Sequence, residues 1–375
     1  MSRRLLVIVT SVLLPSSLFA CLWDYDTLTA ERARFPSALE LITGKFLRHS
    51  YEFYSWRIHD REEKLRHDPD NLAYYDDLAV AYEKTGQHEK AIEIMLVKDK
   101  KKPGLYETEA NLGTFLIHAG RPKEGLPHID RALVLNPDAH FGREKYQKLL
   151  VEYALERRRD HATRLPLAED ARPGNGFADF LHKRQGTENK LAESERKAAI
   201  KGVLGMMRFG DHESPVLLEA LGDLLSGAPD EAEQDAKQLA ARAFLKAYYV
   251  MTDETAKRAY REKARYALTF QSRGPSNSDQ LPLEELEKAF REELTQAQQW
   301  YEELHQREIA WIQGGEDPEG AFARLYTEEP EVLTPKEPEV AARYSTGEIL
   351  ALSLCGAGFV IFAIVFVARR RLRRA

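Results

Sequence analysis

Two stretches of the chain repeat each other at a spacing of 34 residues: Leu78 aligns with Leu112, Ala79 with Gly113, Gly86 with Gly120, Met95 with Ile129 and Pro103 with Pro137. A period of that length suits stacked units of two helices and a turn, none of which buries its apolar face alone. Such units stack, and the stack leaves a concave surface free to seat something else. Binding rather than chemistry is therefore the expected activity.

The first unit, residues 72–105, opens with LAYYDDLAVAYEKTG, in which Tyr75, Leu78, Ala79 and Tyr82 recur at helical spacing. It turns at Gly86, continues as QHEKAIEIMLVKDKK with Ala91 and Met95 at small and large positions, and ends at Pro103. The second unit, residues 106–139, carries Leu112, Gly113, Leu116, Gly120, Ile129, Ala132 and Pro137; Gly125 replaces the alanine, and Pro122 opens the second helix where its missing N–H costs nothing. This pattern resembles the tetratricopeptide repeat (TPR) family. The opening CLWDYDTL and the phrase LNPDAHFGREKYQ also resemble segments of exported bacterial tetratricopeptide proteins of unassigned activity, which implies that the first segment belongs to the repeat domain.

The resemblance implies that Ala79 and Gly113 let helix A approach helix B closely while Met95 and Ile129 fill the space created. It also implies a binding groove lined by helix-A side chains between the packing positions: Asp76, Val80, Glu83 and Lys84 in the first unit, Ala110, Thr114, Ile117 and His118 in the second. The family's carboxylate clamp is missing, since Asp76 and Val80 stand at its positions and only Asn111 fits. An extended or helical protein segment with apolar anchors is the expected partner, with Val80 and Ile117 as its contacts. The alternative is that the chain's own N-terminal or second helical region fills the groove.

The chain is expected to be all-α, a helical-hairpin array followed by a second helical region and one C-terminal membrane span. Residues 1–20 read as an export signal, with Arg3 and Arg4 before an apolar run. Residues 21–160 hold the N-terminal helices and the repeats, with a capping helix over 140–160, and residues 161–190, rich in proline and glycine, read as a linker with a short apolar anchor at Phe177–Leu181. Residues 191–326 form the second region. There Leu221, Gly222 and Leu225, then Ala240, Phe244 and Ala247, suit either a degenerate repeat or an ordinary helical hairpin. Residues 327–348 form a stalk rich in proline and glutamate, residues 349–368 carry no charge and are long enough to span a bilayer, and residues 369–375 form a basic cytoplasmic tail. That arrangement places the bulk of the chain outside the cytoplasm, as a single-pass, periplasmic domain.

Two readings of Cys21 stand, a lipidated first residue of the mature chain or an ordinary cleavage site near Ala20. The other cysteine, Cys355, lies in the span, so no disulfide staples the exported part. Without Arg3, Arg4 and the five tail arginines that part holds 47 basic and 60 acidic residues, a balance of −13. Such a surface disfavours a nucleic-acid partner.

The sequence holds no G-x-S-x-G, G-x-x-x-x-G-K, G-x-G-x-x-G or H-E-x-x-H motif. No catalytic residue, cofactor, metal or small-molecule substrate is indicated. Asp211, His212 and Glu213 read as a solvated helix start, and Asp24 and Asp26 as caps or solvent-facing groups. Trp300 and Trp311 read as core residues of the last long helix. The function expected is a membrane-anchored scaffold that binds envelope proteins. The alternatives are a self-associating envelope component, or an enzyme with a convergent buried cluster in residues 191–313.

Overall fold

Gly86 and Gly120 stand at equivalent repeat positions and adopt the left-handed backbone at φ +77° and +76°, a conformation that favours glycine. The bonds around them repeat as well: Gln87 N–H donates to Tyr82 O and Arg121 N–H to Leu116 O, both at 2.8 Å, and each glycine donates to the carbonyl three residues earlier at 3.0 Å. The period seen in the sequence is thus a period of the backbone.

The computed structural model of the chain describes residues 24, 34–137, 139–158, 163–168, 176–186, 191–227, 234–269 and 282–327. Among the described residues there are fourteen α-helices, one 3₁₀ turn and no strand. The helices are α1 (Ala38–Thr43), α2 (Tyr51–His67), α3 (Leu72–Lys84), α4 (His88–Lys101), α5 (Tyr106–His118), α6 (Pro122–Leu135) and, after the turn Ala139–Gly142, α7 (Arg143–Glu156). They continue as α8 (Phe177–Gln185), α9 (Glu193–Phe209), α10 (Pro215–Ser226), α11 (Gln234–Val250), α12 (Glu254–Thr269), α13 (Leu283–Gly314) and α14 (Pro318–Leu325). All belong to one compact unit; residues 337–375 lie outside the described residues.

Local chemistry sets many of the ends. Ser37 and Glu40 close a capping box at α1, Ser50 caps α2 through Phe53 N–H, and Ser214 caps α10 just before Pro215. Consecutive helices pair: α3 with α4, α5 with α6, α10 with α11 and α11 with α12. Glycines set the closest approaches. A Cβ on Gly113 would lie 2.5 Å from Ile129 Cδ1, and one on Gly222 would lie 2.5 Å from Phe244 Cε1, so α5–α6 and α10–α11 share a small residue beneath a large one.

The residues on either side of 161–190 share one core. Ile117, Ile129, Tyr146 and Leu150 pack in the same cluster as Val203, Met207, Leu218, Phe244 and Phe290. The intervening stretch, where described, is tied in: Leu167 and Ala168 are buried and donate their N–H groups to Glu219 at 2.8 and 2.9 Å, and Phe177 of α8 is fully buried. A second cluster joins Ile58 of α2 to Leu78, Val80, Met95 and Leu116 of the repeats. Trp300 and Trp311 of α13 pack against Leu304, Phe322 and Leu325. Among the described residues no helix is long and apolar enough to cross a membrane; the expected span over 349–368, the signal and Cys21 lie outside those residues.

Candidate functional site

The helix-A residues expected to line an open groove are instead covered by the chain itself. Val80 is 1 % exposed and Ile117 2 % exposed, and Asp76, Glu83, Ala110 and Thr114 are buried too. The reason is tertiary. α2 lies against α3, and Ile117 joins the core formed with Tyr146 of α7 and Met207 of α9. Val80 and Ile117 are therefore packing residues, not water-facing anchors.

The polar members Asp76, Glu83, Thr114 and His118 bond to nearby side chains. Lys98 Nζ of α4 donates to Asp76 Oδ1 at 2.7 Å, Asn111 Nδ2 reaches the same oxygen at 3.5 Å, and Gln147 Nε2 of α7 donates to Thr114 Oγ1 at 3.1 Å. Burial pushes the Asp76 carboxyl up to about 7 against the pull of Lys98. Glu83 bridges the two units, meeting His88 Nδ1 at 2.9 Å and, from the next repeat, His118 Nδ1. Burial alone would raise the Glu83 carboxyl, but the two imidazoles more than offset it and hold it down to about 2.

Lys84, next in sequence, turns away from this network. Its Nζ donates to the carbonyls of Phe209 and Gly210, at 2.7 and 2.8 Å, where α9 ends. It lies on a cavity of about 210 Å³ whose described walls include Phe46, Arg48, Tyr54, Val80, Arg208 and His212, with Asp24 also on the wall and the exposed Tyr51 at its edge. The Arg48 guanidinium sits 3.5 Å from the Tyr301 ring centre and donates to the carbonyls of Gly44 and Phe46. Arg208 lies over Phe35 and Phe209, 5.2 Å from each. Asp24 accepts from Arg57 at 3.2 Å.

Burial lowers Lys84 to about 8, although Asp211 and Asp24 pull the other way. Burial, then Arg48, Lys246 and Lys84, hold His212 well below the usual histidine range, so its ring is neutral. Of these residues sequence reasoning placed Lys84 and Val80 in a site, and singled out His212 and Asp24 for different reasons. A local signal existed for Lys84: the positions three and four residues away are Val80, Ala81, Gln87 and His88, none of them a carboxylate. Arg48, Tyr54 and Arg208 lie outside the repeats and carry no such mark.

A buried polar cluster occupies the second region. The two oxygens of Glu219 take four donors: Leu167 N–H, Ala168 N–H, Tyr260 O–H at 3.0 Å and Lys263 Nζ at 3.4 Å. Lys263 also reaches Asp223 at 3.2 Å, and Asp223 accepts from Phe177 N–H at 3.0 Å. The arrangement clamps residues 163–168 and α8 onto α10 and α12. Among the described residues no group of three or more His, Cys, Asp or Glu is placed to hold a metal ion. Comparison with protein-family models, curated proteins and solved structures gives no match.

Proposed function

We propose that the chain is a membrane-anchored, extracytoplasmic scaffold of the tetratricopeptide type that binds a protein partner on the outer side of its repeats. The reading rests on where apolar surface is left over. Among the described residues the exposed large hydrophobics are Tyr51, Leu96, Val97, Val134 and Leu135, and four of the five lie on the second helices of the two repeats, α4 and α6. Val134 is 84 % exposed and Leu96 46 %. Burial of such side chains on association gives the largest gain.

Charge narrows the partner. Leu96 and Val97 are followed by Lys100, Lys101 and Lys102 on a chain that is otherwise acidic, so the fitting partner is a protein segment with apolar side chains flanked by carboxylates. The uncharged run over 349–368 and the arginines after it support the anchored topology.

Photo-crosslinking in cells tests the reading. A crosslinker at Leu96 or Val134 is expected to give a defined adduct with an acidic partner, one at Ile117 none. Adducts the size of two copies of this chain would favour the self-associating component instead. Absence of adducts at both outer positions would sink the proposal. Protease added to intact spheroplasts checks the topology, since protection of the repeats would place them on the other side.

A further inference from the structure

The cavity beside Lys84 differs from several other places, among the described residues, where this protein buries positive charge. Arg57 meets Asp24 and Glu319, Arg61 meets Asp77, Lys98 meets Asp76, Arg242 meets Glu293 through two 2.8 Å bonds, and Lys263 meets Glu219 and Asp223. A chain with 60 acidic residues has carboxylates to spare. At the cavity, Arg48 and Lys84 are held only by backbone carbonyls and aromatic faces; neither forms an ion pair among the described residues. Carbonyl oxygens orient a cation without cancelling its charge. Arg208 adds a third cationic group to the same walls, and the wall carboxylate, Asp24, is engaged with Arg57.

We infer that this cavity is a binding site for a small organic oxyanion, a carboxylate or phosphate carried on an apolar ring, with Lys84 and Arg48 facing the charge and the aromatic walls taking the ring. Size and wall chemistry set the class. A volume of about 210 Å³ holds roughly seven waters at about 30 Å³ each, which suits a single-ring molecule and is too small for a folded protein segment. Phe46, Tyr54 and Phe209 supply the flat apolar walls. The lowered His212 fits the same picture: after burial, the field of Arg48, Lys246 and Lys84 disfavours its charge, although Asp211 and Asp24 offset part of Lys84 and Glu213 part of Arg48. A bound anion would oppose that field in a partly dehydrated place, where charge-assisted hydrogen bonds are strongest. The site is separate from the outer repeat face proposed to bind protein.

Calorimetric titration of the full-length chain in detergent micelles tests this with four probes: benzoate, phenylphosphate, inorganic phosphate and the uncharged analogue benzamide. Benzoate or phenylphosphate, or both, should bind at one site, at least tenfold more tightly than benzamide, and the stronger of the two identifies the anionic group. Inorganic phosphate binding as tightly as phenylphosphate would remove the ring from the proposal. Lys84→Met should weaken binding of the preferred anion at least tenfold, with Lys84→Arg restoring most of it. Circular dichroism confirms that the variants are folded, and the comparison of benzoate with benzamide needs no variant. Failure of both ring anions to bind, or benzamide binding equally well, overturns the inference, as does an unchanged affinity in folded Lys84→Met.

Discussion

The two repeats share a backbone but fill the same positions differently, and the contrast separates what the repeat requires from what this protein adds. In the first unit Asp76 and Lys98 form a buried ion pair; 34 residues later the equivalent positions hold Ala110 and Ala132, both buried. The hairpin therefore does not need the charges. Similarly, Lys84 faces the cavity, whereas its counterpart His118 turns to Glu83. Small residues at positions 79 and 113 and left-handed glycines at 86 and 120 are common to both units, and these set the geometry.

The sharpest way to break this comparison is to remove one charge at a time. Asp76→Ala leaves Lys98 buried without its carboxylate and should cost about 3–5 kcal/mol in denaturant unfolding. The double variant Asp76→Ala/Lys98→Ala reproduces the second unit's residues and should recover most of that loss. A double variant as unstable as the single one would show that the first unit depends on its ion pair after all.

Next in size is a test of what the units share. Gly113→Leu forces side-chain atoms into space held by Ile129, whose backbone N would also lie 3.0 Å from the new Cβ, and should lower stability by about 1–3 kcal/mol or more. An unchanged thermal midpoint would disprove the close approach of α5 and α6.

Glu83 and Lys84 give pH signatures of the same sign in two different windows, because folding lowers both pKa values. Glu83 is held below its ordinary value of 4.5, to about 2, so its contribution is present above pH 4.5 and is lost as pH falls from there towards 2. Glu83→Gln should flatten that acid-side decline. Lys84 is lowered from 10.5 to about 8, so between those values the unfolded chain binds more protons than the folded one, and stability gains a contribution as pH rises through the window. Lys84→Met should abolish that alkaline gain. Its effect at pH 7 should be the smallest here, with a midpoint unchanged or slightly raised, whereas a fall as large as that for Asp76→Ala would mean that Lys84 is compensated from within.

Much of the fold was legible because its signals are local. The hairpins read from residues 72–139 form as α3 to α6, and the helix expected over 140–160 forms as α7 (Arg143–Glu156). The fate of the groove was not legible. Val80 and Ile117 carry the spacing of helix-A side chains, but their burial depends on α2, α7 and α9, and Lys84 meets carbonyls 125 and 126 residues away. No window of neighbouring residues encodes those encounters. The opposite charges at 76 and 98, where the next unit has alanines, were the one available hint that the inner face is closed over.

The long helix α13 carries a consequence for how the protein is made. Its 32 residues extend about 48 Å, and along that length Glu293 holds Arg242 while Glu308 accepts from Ser50 N–H at 2.7 Å and meets His49 Nδ1. Glu319, just beyond, pairs with Arg57 at 2.9 Å. A simple repeat array can nucleate anywhere and grow from neighbour to neighbour. Here the buried start of α2 finds its carboxylate 258 residues downstream. The helices synthesised first are thus among the last to be completed, and a nascent chain that has not yet produced α13 and α14 lacks Glu308 for the start of α2 and Glu319 for Arg57, a period of waiting that contacts so distant in sequence lengthen.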